Sequence, residues 1–225
     1  MENIVAFIPI RGGSKGIPGK NIKDFCGKPL TYWTAQAADA CPLVEQVYIA
    51  TDSQRFKQIL QEFSWRKTQI IDRSPETAVD TASTESAMLE FASTHDFRHI
   101  VLIQATSPLL TMTDLEQGIN KYLTGQYDSL LSVVRKKQFI WRESPDGATP
   151  VNYDPHTRPR RQEWDGYLVE NGAFYITTKE RLVREKSRLS GRTGIYEMTE
   201  ETSYEIDVPA DWIILEELKK RQLNE

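Results

Sequence analysis

The chain of 225 residues is 39% hydrophobic and 27% charged, an ordinary globular balance that argues against disorder or a fibrous repeat. A formal net charge of −4, from 28 Lys and Arg against 32 Asp and Glu, leaves no basic excess to hold nucleic acid. Cys26 and Cys41 cannot build a disulfide framework, no apolar run approaches the roughly 20 residues that cross a bilayer, and the first residues form an apolar run in place of a charged signal region. A reduced, cytoplasmic protein with no membrane or nucleic-acid partner is expected.

Ile4 to Ile10 is a nearly continuous apolar segment, as expected of a strand covered on both faces. The loop Arg11 to Asn21 follows directly. Leu30, Trp33, Thr34 and Ala37 then recur at helical spacing between Pro29 and Pro42, predicting the first crossover helix. Val47 to Ala50 is a second strand, and Thr51-Asp52-Ser53 offers a cap to a helix carrying Phe56, Ile59, Leu60 and Phe63. Gln69 to Ile71 is a third strand. The segment from Arg73 to Ser83, rich in Pro, Asp, Ser and Thr, predicts a loop. A helix with Ala87, Met88, Phe91 and Ala92 inward should start near Thr84, and a fourth strand runs from His99 to the polar Gln104. Thr111 or Thr113 can cap the next helix, which ends at Gly125 and leads into a fifth strand, Ser129 to Val134. Such alternation implies an α/β fold with a mostly parallel sheet and helices on both faces.

From Arg135 to Asp165 the rhythm breaks into a stretch with several Arg and Lys, four prolines, Trp141 and Trp164. A structureless loop of that length is improbable in one compact domain, so residues 135–165 are read as an inserted arm of hairpin strands that pairs with a second subunit. Asn171 to Thr177 is a strand entered through Asn-Gly, followed by a helix from Lys179 to Glu185. Ile195 to Met198 and Tyr204 to Val208 read as two further strands, and Pro209 opens the last helix.

In open α/β sheets, ligands sit beyond the carboxyl ends of the strands, where the Arg11 loop, Asp52, the Arg73 to Ser83 segment and Gln104 all fall. The Arg11 loop holds four glycines, three cations and a serine in eleven residues. Glycines let backbone N–H groups approach a ligand, and Arg11, Lys15 and Lys20 add charge, a combination suited to phosphates. The loop matches neither common template: a P-loop needs Gly where Ser14 stands and Ser or Thr where Asn21 stands, and no G-x-G-x-x-G opens the first helix. A second element is Glu205-Ile206-Asp207, where a strand's period of two puts both carboxylates on one face. That arrangement suits Mg²⁺, which needs few carboxylates and keeps phosphate and water ligands; a solvated edge strand has the same pattern. His95 and His99 have a zinc-ligand spacing of four but lack the H-E-x-x-H glutamate and read as ordinary surface histidines. Cys26 has no histidine near it in sequence, so it reads as a small packing residue. Trp141 and Trp164 beside Arg158, Arg160 and Arg161 could stack single-stranded RNA, but the acidic total favours an interface or sugar site.

The blocks Arg11-Gly12-Gly13-Ser14-Lys15-Gly16-Ile17-Pro18-Gly19-Lys20-Asn21, Ala50-Thr51-Asp52-Ser53, Asp80-Thr81-Ala82-Ser83, Gln104-Ala105-Thr106-Ser107-Pro108-Leu109, Arg160 to Asp165, Glu170 to Tyr175 and Glu205-Ile206-Asp207 stand in an order that resembles the acylneuraminate cytidylyltransferases, or CMP-sialic acid synthetases. The match spans the chain, and Arg160 to Tyr175 is similar to the animal-type enzymes; the CMP-Kdo synthetases are more distant kin. The resemblance implies a Rossmann-like nucleotidyltransferase fold, CTP and a nine-carbon 2-keto sugar acid as substrates, and Mg²⁺, with Mn²⁺ as a substitute. It also implies a homodimer, with tetramers of such dimers left open. By position it gives the CTP phosphates to Arg11, Gly12, Ser14, Lys15, Lys20 and Asn21, and the cytosine and ribose to Arg73 and Ser83. Gln104 and Tyr175 fall to the sugar, and Arg142 and Arg161 of the arm to the neighbour's sugar or pyrophosphate. Asp207 falls to the metal with Glu205, which stands where the family usually has Asp. Catalysis on that scheme rests on Arg11, Lys20 and Asp207, with no general base singled out. Two other readings keep the scaffold: activation of a different ulosonic acid, such as legionaminate, pseudaminate or Kdo, and a non-catalytic nucleotide-sugar binding protein.

Overall fold

The first apolar run is the middle of the molecule because it is buried on both sides. The computed structural model describes residues 2–14 and 16–224; Lys15, expected at the phosphates, lies outside the described residues. Strand β1 (Ile4–Pro9) is parallel to β4 (Gln46–Thr51) on one side and to β6 (His99–Ile103) on the other. Beyond β4 lies β5 (Thr68–Asp72), and beyond β6 come β10 (Tyr167–Thr178), β7 (Ser129–Lys136) and β11 (Thr193–Met198). Among the described residues these make one sheet of seven strands, of which only β10 runs antiparallel to its neighbours. A small hairpin of β2 (Asp24–Phe25) and β3 (Lys28–Pro29) follows the glycine-rich loop.

Helices cover both faces through apolar stripes of period 3.6. On one face α1 (Leu30–Ala40), α2 (Gln54–Gln61) and α5 (Met112–Thr124) set Ala35, Ala38, Phe56, Leu60, Leu115 and Ile119 against the sheet. On the other, α4 (Thr84–Thr94) and α6 (Lys179–Glu185) supply Ala87, Met88, Phe91 and Leu182. The capping signals act as read: Ser53 accepts the Phe56 N–H, and Thr111, not Thr113, caps α5 in a reciprocal box with Asp114. Among the described residues no helix is long and apolar enough to cross a membrane.

A third cluster lies at the carboxyl edge of the sheet and decides where the site can be. Ile17 of the glycine-rich loop, Phe25, Leu30 and Ile206 pack with Trp212 and Leu215 of α7 (Pro209–Asn224). It ties the start of the chain to its end.

Three expectations change. Tyr204 to Val208 is not a strand: a single 3₁₀ turn, Glu200–Ser203, is followed by irregular backbone. The alternation survives because Ile206 is fully buried as an anchor in the third cluster, and its N–H is taken by Thr106 O at 3.3 Å rather than by a strand. Asn171-Gly172 does not open β10 but interrupts it, shifting the register between Glu170 and Tyr175 with Gly172 at φ 68°. Finally, the Arg73 to Ser83 loop contains one helical turn, α3 (Pro75–Ala78), capped by Ser74. The stretch between β7 and β10 carries the hairpin β8 (Trp141–Ser144) and β9 (Gly147–Pro150), with Phe139 stacked on Trp164 at 4.8 Å and Arg158 over Phe139 at 4.4 Å.

Candidate active site

A cleft of about 380 Å³ opens at the carboxyl edge of the sheet, lined by Arg11, Ser14, Lys20, Asn21, Arg73 and Asp207 among others. A recess of about 90 Å³ shares Asn21, Thr84 and Thr106 with it and adds Gln104. Five residues from the first loop and Arg73 segment thus meet a carboxylate from the far end of the sequence, with Gln104 next to them.

The loop is held by its own polar groups. Buried Asn21 donates from Nδ2 to Arg11 O at 3.1 Å, and Thr31 Oγ1 at the start of α1 donates to Asn21 O at 2.8 Å. Asn21 thus ties the end of the loop back to its start. Gly12 donates its N–H to Asp52 Oδ1 at 2.9 Å, so its role in the structure is to seat the loop on the β4 to α2 turn. Gly16 is required by contact: a Cβ there would stand 2.5 Å from Asp207 O. The glycine therefore lets the phosphate-type loop touch the carboxylate segment.

Each described cation of this wall has an anionic or carbonyl partner. Arg11 Nη1 pairs with Asp80 Oδ1 at 2.5 Å, and Lys20 Nζ donates to Ile206 O and to Asp207 Oδ1, the latter at 3.3 Å. Arg73 is buried enough to lower its pKa, an effect opposed by the charges of Asp52 and Glu90, and its guanidinium donates to Thr77 O. Ser83 does not line the cleft; its Oγ accepts the Ser86 N–H at 3.1 Å as the cap of α4, while Ala82 and Thr84 on either side do line it.

Glu205 and Asp207 are not equivalent, because they stand in irregular backbone and only Asp207 lines the cleft. Asp207 lines the cleft, with its side chain 74% exposed. The Glu205 carboxylate instead packs on Gly172, where a Cβ would collide with it. Burial, and then the charge of Asp207, push its pKa up, and Lys20 partly offsets this. Among the described residues no group of three or more His, Cys, Asp or Glu could hold a metal ion. The donor set is thus one exposed carboxylate with a second behind it, which fits a hard cation completed by phosphate and water oxygens.

On the sheet face under α4 and α6, Tyr175 is only 5% exposed and does not line the cleft; its hydroxyl donates to Glu170 Oε2 at 2.9 Å, and burial followed by that bond raises its pKa. Arg142 on β8 and Arg161 are both exposed, and neither lines the cleft of its own chain. Two residues of the family blocks to which sequence reading gave no role also line the cleft. Asp80 holds Arg11, and Thr106 sits in both parts of the cleft with its Oγ1 buried and, among the described residues, without a hydrogen-bond partner. Their signal was position, since both lie beyond the carboxyl ends of strands.

The remaining polar candidates have local work. His95 stacks on Phe91 at 4.3 Å, whereas His99 bridges Tyr122 and Glu2, so the two share no ligand. His99 is itself buried, at 6% exposure, and not a surface residue. Burial raises the Cys26 pKa, the opposite of what activates a thiol.

The sequence model of a family described as cytidylyltransferase matches residues 5–225. The chain is 38% identical over 96% of its length to an N-acylneuraminate cytidylyltransferase of Oncorhynchus mykiss, and equally to N-acylneuraminate cytidylyltransferase A of Danio rerio, covering 50% of each. It therefore spans about half the length of these curated relatives. A solved structure of CMP:2-keto-3-deoxy-manno-octonic acid synthetase complexed with CTP superposes with a TM-score of 0.74 at 19% identity, covering 98% of this chain and 99% of that one. That likeness establishes the nucleotidyltransferase-type α/β fold.

Proposed function

The chain belongs to the cytidylyltransferase family, and from that premise we propose that it joins CMP, taken from CTP, to the anomeric hydroxyl of a nine-carbon 2-keto sugar acid, N-acetylneuraminate or KDN. The anomeric oxygen bonds to the α-phosphorus, the bond from that phosphorus to the bridging oxygen breaks, and pyrophosphate leaves. The observation that carries this reading is the meeting of Arg11, Ser14, Lys20, Asn21 and Arg73 with Asp207 in one cleft, with Gln104 in the adjoining recess. The 38% identical relatives bear the corresponding name.

In this mechanism the protein positions the reactants and compensates charge. Lys20 and Arg11 exchange their present partners, Ile206 O with Asp207 and Asp80, for phosphate oxygens. Arg73 faces the nucleoside, and Asn21 keeps the loop closed beside the triphosphate. Asp207, which lines the cleft, would hold Mg²⁺ or Mn²⁺, with the buried Glu205 carboxylate behind it. Such an ion would supply Lewis-acid neutralisation of the triphosphate. Gln104 orients the sugar acid toward the α-phosphate.

A homodimer completes the scheme. Arg142 and Arg161 do not line their own cleft, while Ile140, Trp141, Val151 and Tyr167 leave apolar surface exposed on or beside the arm. On this reading the arm carries both arginines into the site of a second copy. Pyrophosphate release with CTP, Mg²⁺ and a panel of sugar acids tests the activity: turnover with N-acetylneuraminate or KDN is expected, and silence across the panel would overturn it.

A further inference from the structure

The segment after β5 supplies Arg73, Val79, Asp80 and Ala82 to the lining of the cleft, yet it has little apolar packing to hold it there. Its regular element is α3, a single turn none of whose four residues is buried. Without an apolar anchor, the turn is placed by hydrogen bonds.

Those bonds converge on one carboxylate. Glu90, half-buried on α4, accepts the Ser74 N–H on Oε1 at 2.9 Å and the Thr77 hydroxyl on Oε2 at 2.5 Å. It thereby holds α3 at its cap and at its third residue. Arg73 joins from the other side: Nε donates to Thr77 Oγ1 at 3.4 Å and Nη2 to Thr77 O, while the Arg73 N–H is taken by Thr51 O at 3.1 Å, at the end of β4. Arg73 and Glu90 line one recess of about 150 Å³ together with Ile71 and Phe91. Arg73 lines the cleft as well, so its side chain stands between the two cavities.

The chemistry of a carboxylate gives this clamp a direction. Glu90 has no proton to donate, so the single proton of the Thr77 hydroxyl goes to Glu90 and a lone pair is left for Arg73 Nε. A glutamine in its place would offer one oxygen to two donors. The Glu90 charge, after that of Asp52, also opposes the effect of burial on the Arg73 guanidinium. Beyond α3, Val79 to Ala82 lead directly to Ser83, the cap of α4. The stretch that bears Asp80, the partner of Arg11, is therefore tied to α4 at both ends, at Ser83 and through Glu90.

We propose that Glu90 is a positioning residue: through Ser74 and Thr77 it holds α3 against α4 and so keeps the Arg73 guanidinium turned into the cleft for the nucleotide. Glu90 lines neither the cleft nor the recess beside Gln104, and on this scheme it touches no substrate. The inference rests on the proposal that CTP occupies the cleft.

The test is calorimetric binding of CTP, with Mg²⁺ present, to the full chain. Glu90→Gln is expected to weaken CTP about 10-fold, the scale on which removing the partner of a ligating residue acts. Thr77→Val should give the same loss, and the two together no more than either alone. In an Arg73→Met background, where the guanidinium is already gone, Glu90→Gln should change CTP affinity by about 2-fold or less, whereas a merely structural role would weaken both backgrounds alike. Should Glu90→Gln fail to fold, Thr77→Val carries the same comparison. Unchanged CTP affinity in Glu90→Gln, or an equal loss in the Arg73→Met background, overturns the inference. Pyrophosphate release is scored separately: wild-type protein that binds CTP yet turns over no sugar acid would remove the proposed activity and leave this inference to be decided by the affinities. Wild-type protein that binds no CTP removes it.

Discussion

The cationic loop of the cleft and the sheet face under α4 and α6 are built on opposite principles. The loop wall takes its cations from flexible side chains whose present partners are exchangeable: Lys20 on Asp207 and Ile206 O, Arg11 on Asp80. The sheet face beneath α4 and α6, which does not line the cleft, ties Tyr175, Arg188 and Glu85 into a fixed network with Glu170 exposed at its end. A cleft that takes up a charged ligand benefits from donors that can change partner, whereas a buried network of fixed partners holds the strand and helices around it in one arrangement.

Breaking the loop wall should give the largest effects. Asp207→Ala is expected to lower kcat by about 10²- to 10³-fold, with the midpoint of thermal unfolding near that of the wild type, because its side chain is mostly exposed. Steady-state turnover over a Mg²⁺ titration checks this; unchanged metal-dependent activity removes Asp207 from the site. Lys20→Met should cost about 10²-fold in kcat/KM for CTP and little in KM for the sugar acid. A larger change in the sugar-acid KM than in the CTP KM would remove Lys20 from the triphosphate side of the cleft.

Where the cleft meets its adjoining recess stands Thr106, whose hydroxyl is buried without a partner among the described residues. Thr106→Val keeps the shape and removes a group that costs about 1–3 kcal/mol when unsatisfied. The variant should therefore be at least as stable as the wild type, with kcat down about 10-fold if the hydroxyl serves a substrate oxygen. Calorimetry and kinetics together separate the two effects.

The smallest effect lies under the loop wall. Lys219 is 6% exposed, stands over Trp33 at 4.4 Å, and burial lowers its pKa to about 8. Between about pH 8 and the ordinary lysine value the unfolded chain holds a proton that the folded chain lacks, so stability from this residue rises with pH through that window. Denaturant titrations of Lys219→Met at pH 7.5 and about pH 10 should show a flatter pH dependence than the wild type.

Much of this was legible in residue pattern. The strand from Ile4, the helix stripes and the caps at Ser53 and Thr111 follow from local period and local hydrogen bonding, and the cationic loop was visible because glycines and charges crowd directly after a buried strand. The carboxylates were found, but not their geometry. A period of two around Ile206 is shared by a strand and by any extended segment with one buried anchor, and only the absence of a neighbouring strand to pair with separates the two.

The sequence by itself determined the α/β class, the order of the strands along the chain, and the chemistry available in the Arg11 loop, because these depend on neighbours within a few residues. The tertiary structure decided which of those groups meet. It set Asp207 O against Gly16, gave Arg11 to Asp80 and Lys20 to Asp207, turned the Glu205 carboxylate onto Gly172, and buried Tyr175 behind Glu170. Each of those contacts joins residues distant in sequence or separated by an irregularity in β10. They depend on the third apolar cluster, on the sheet order and on that shift of register, none of which any local stretch encodes.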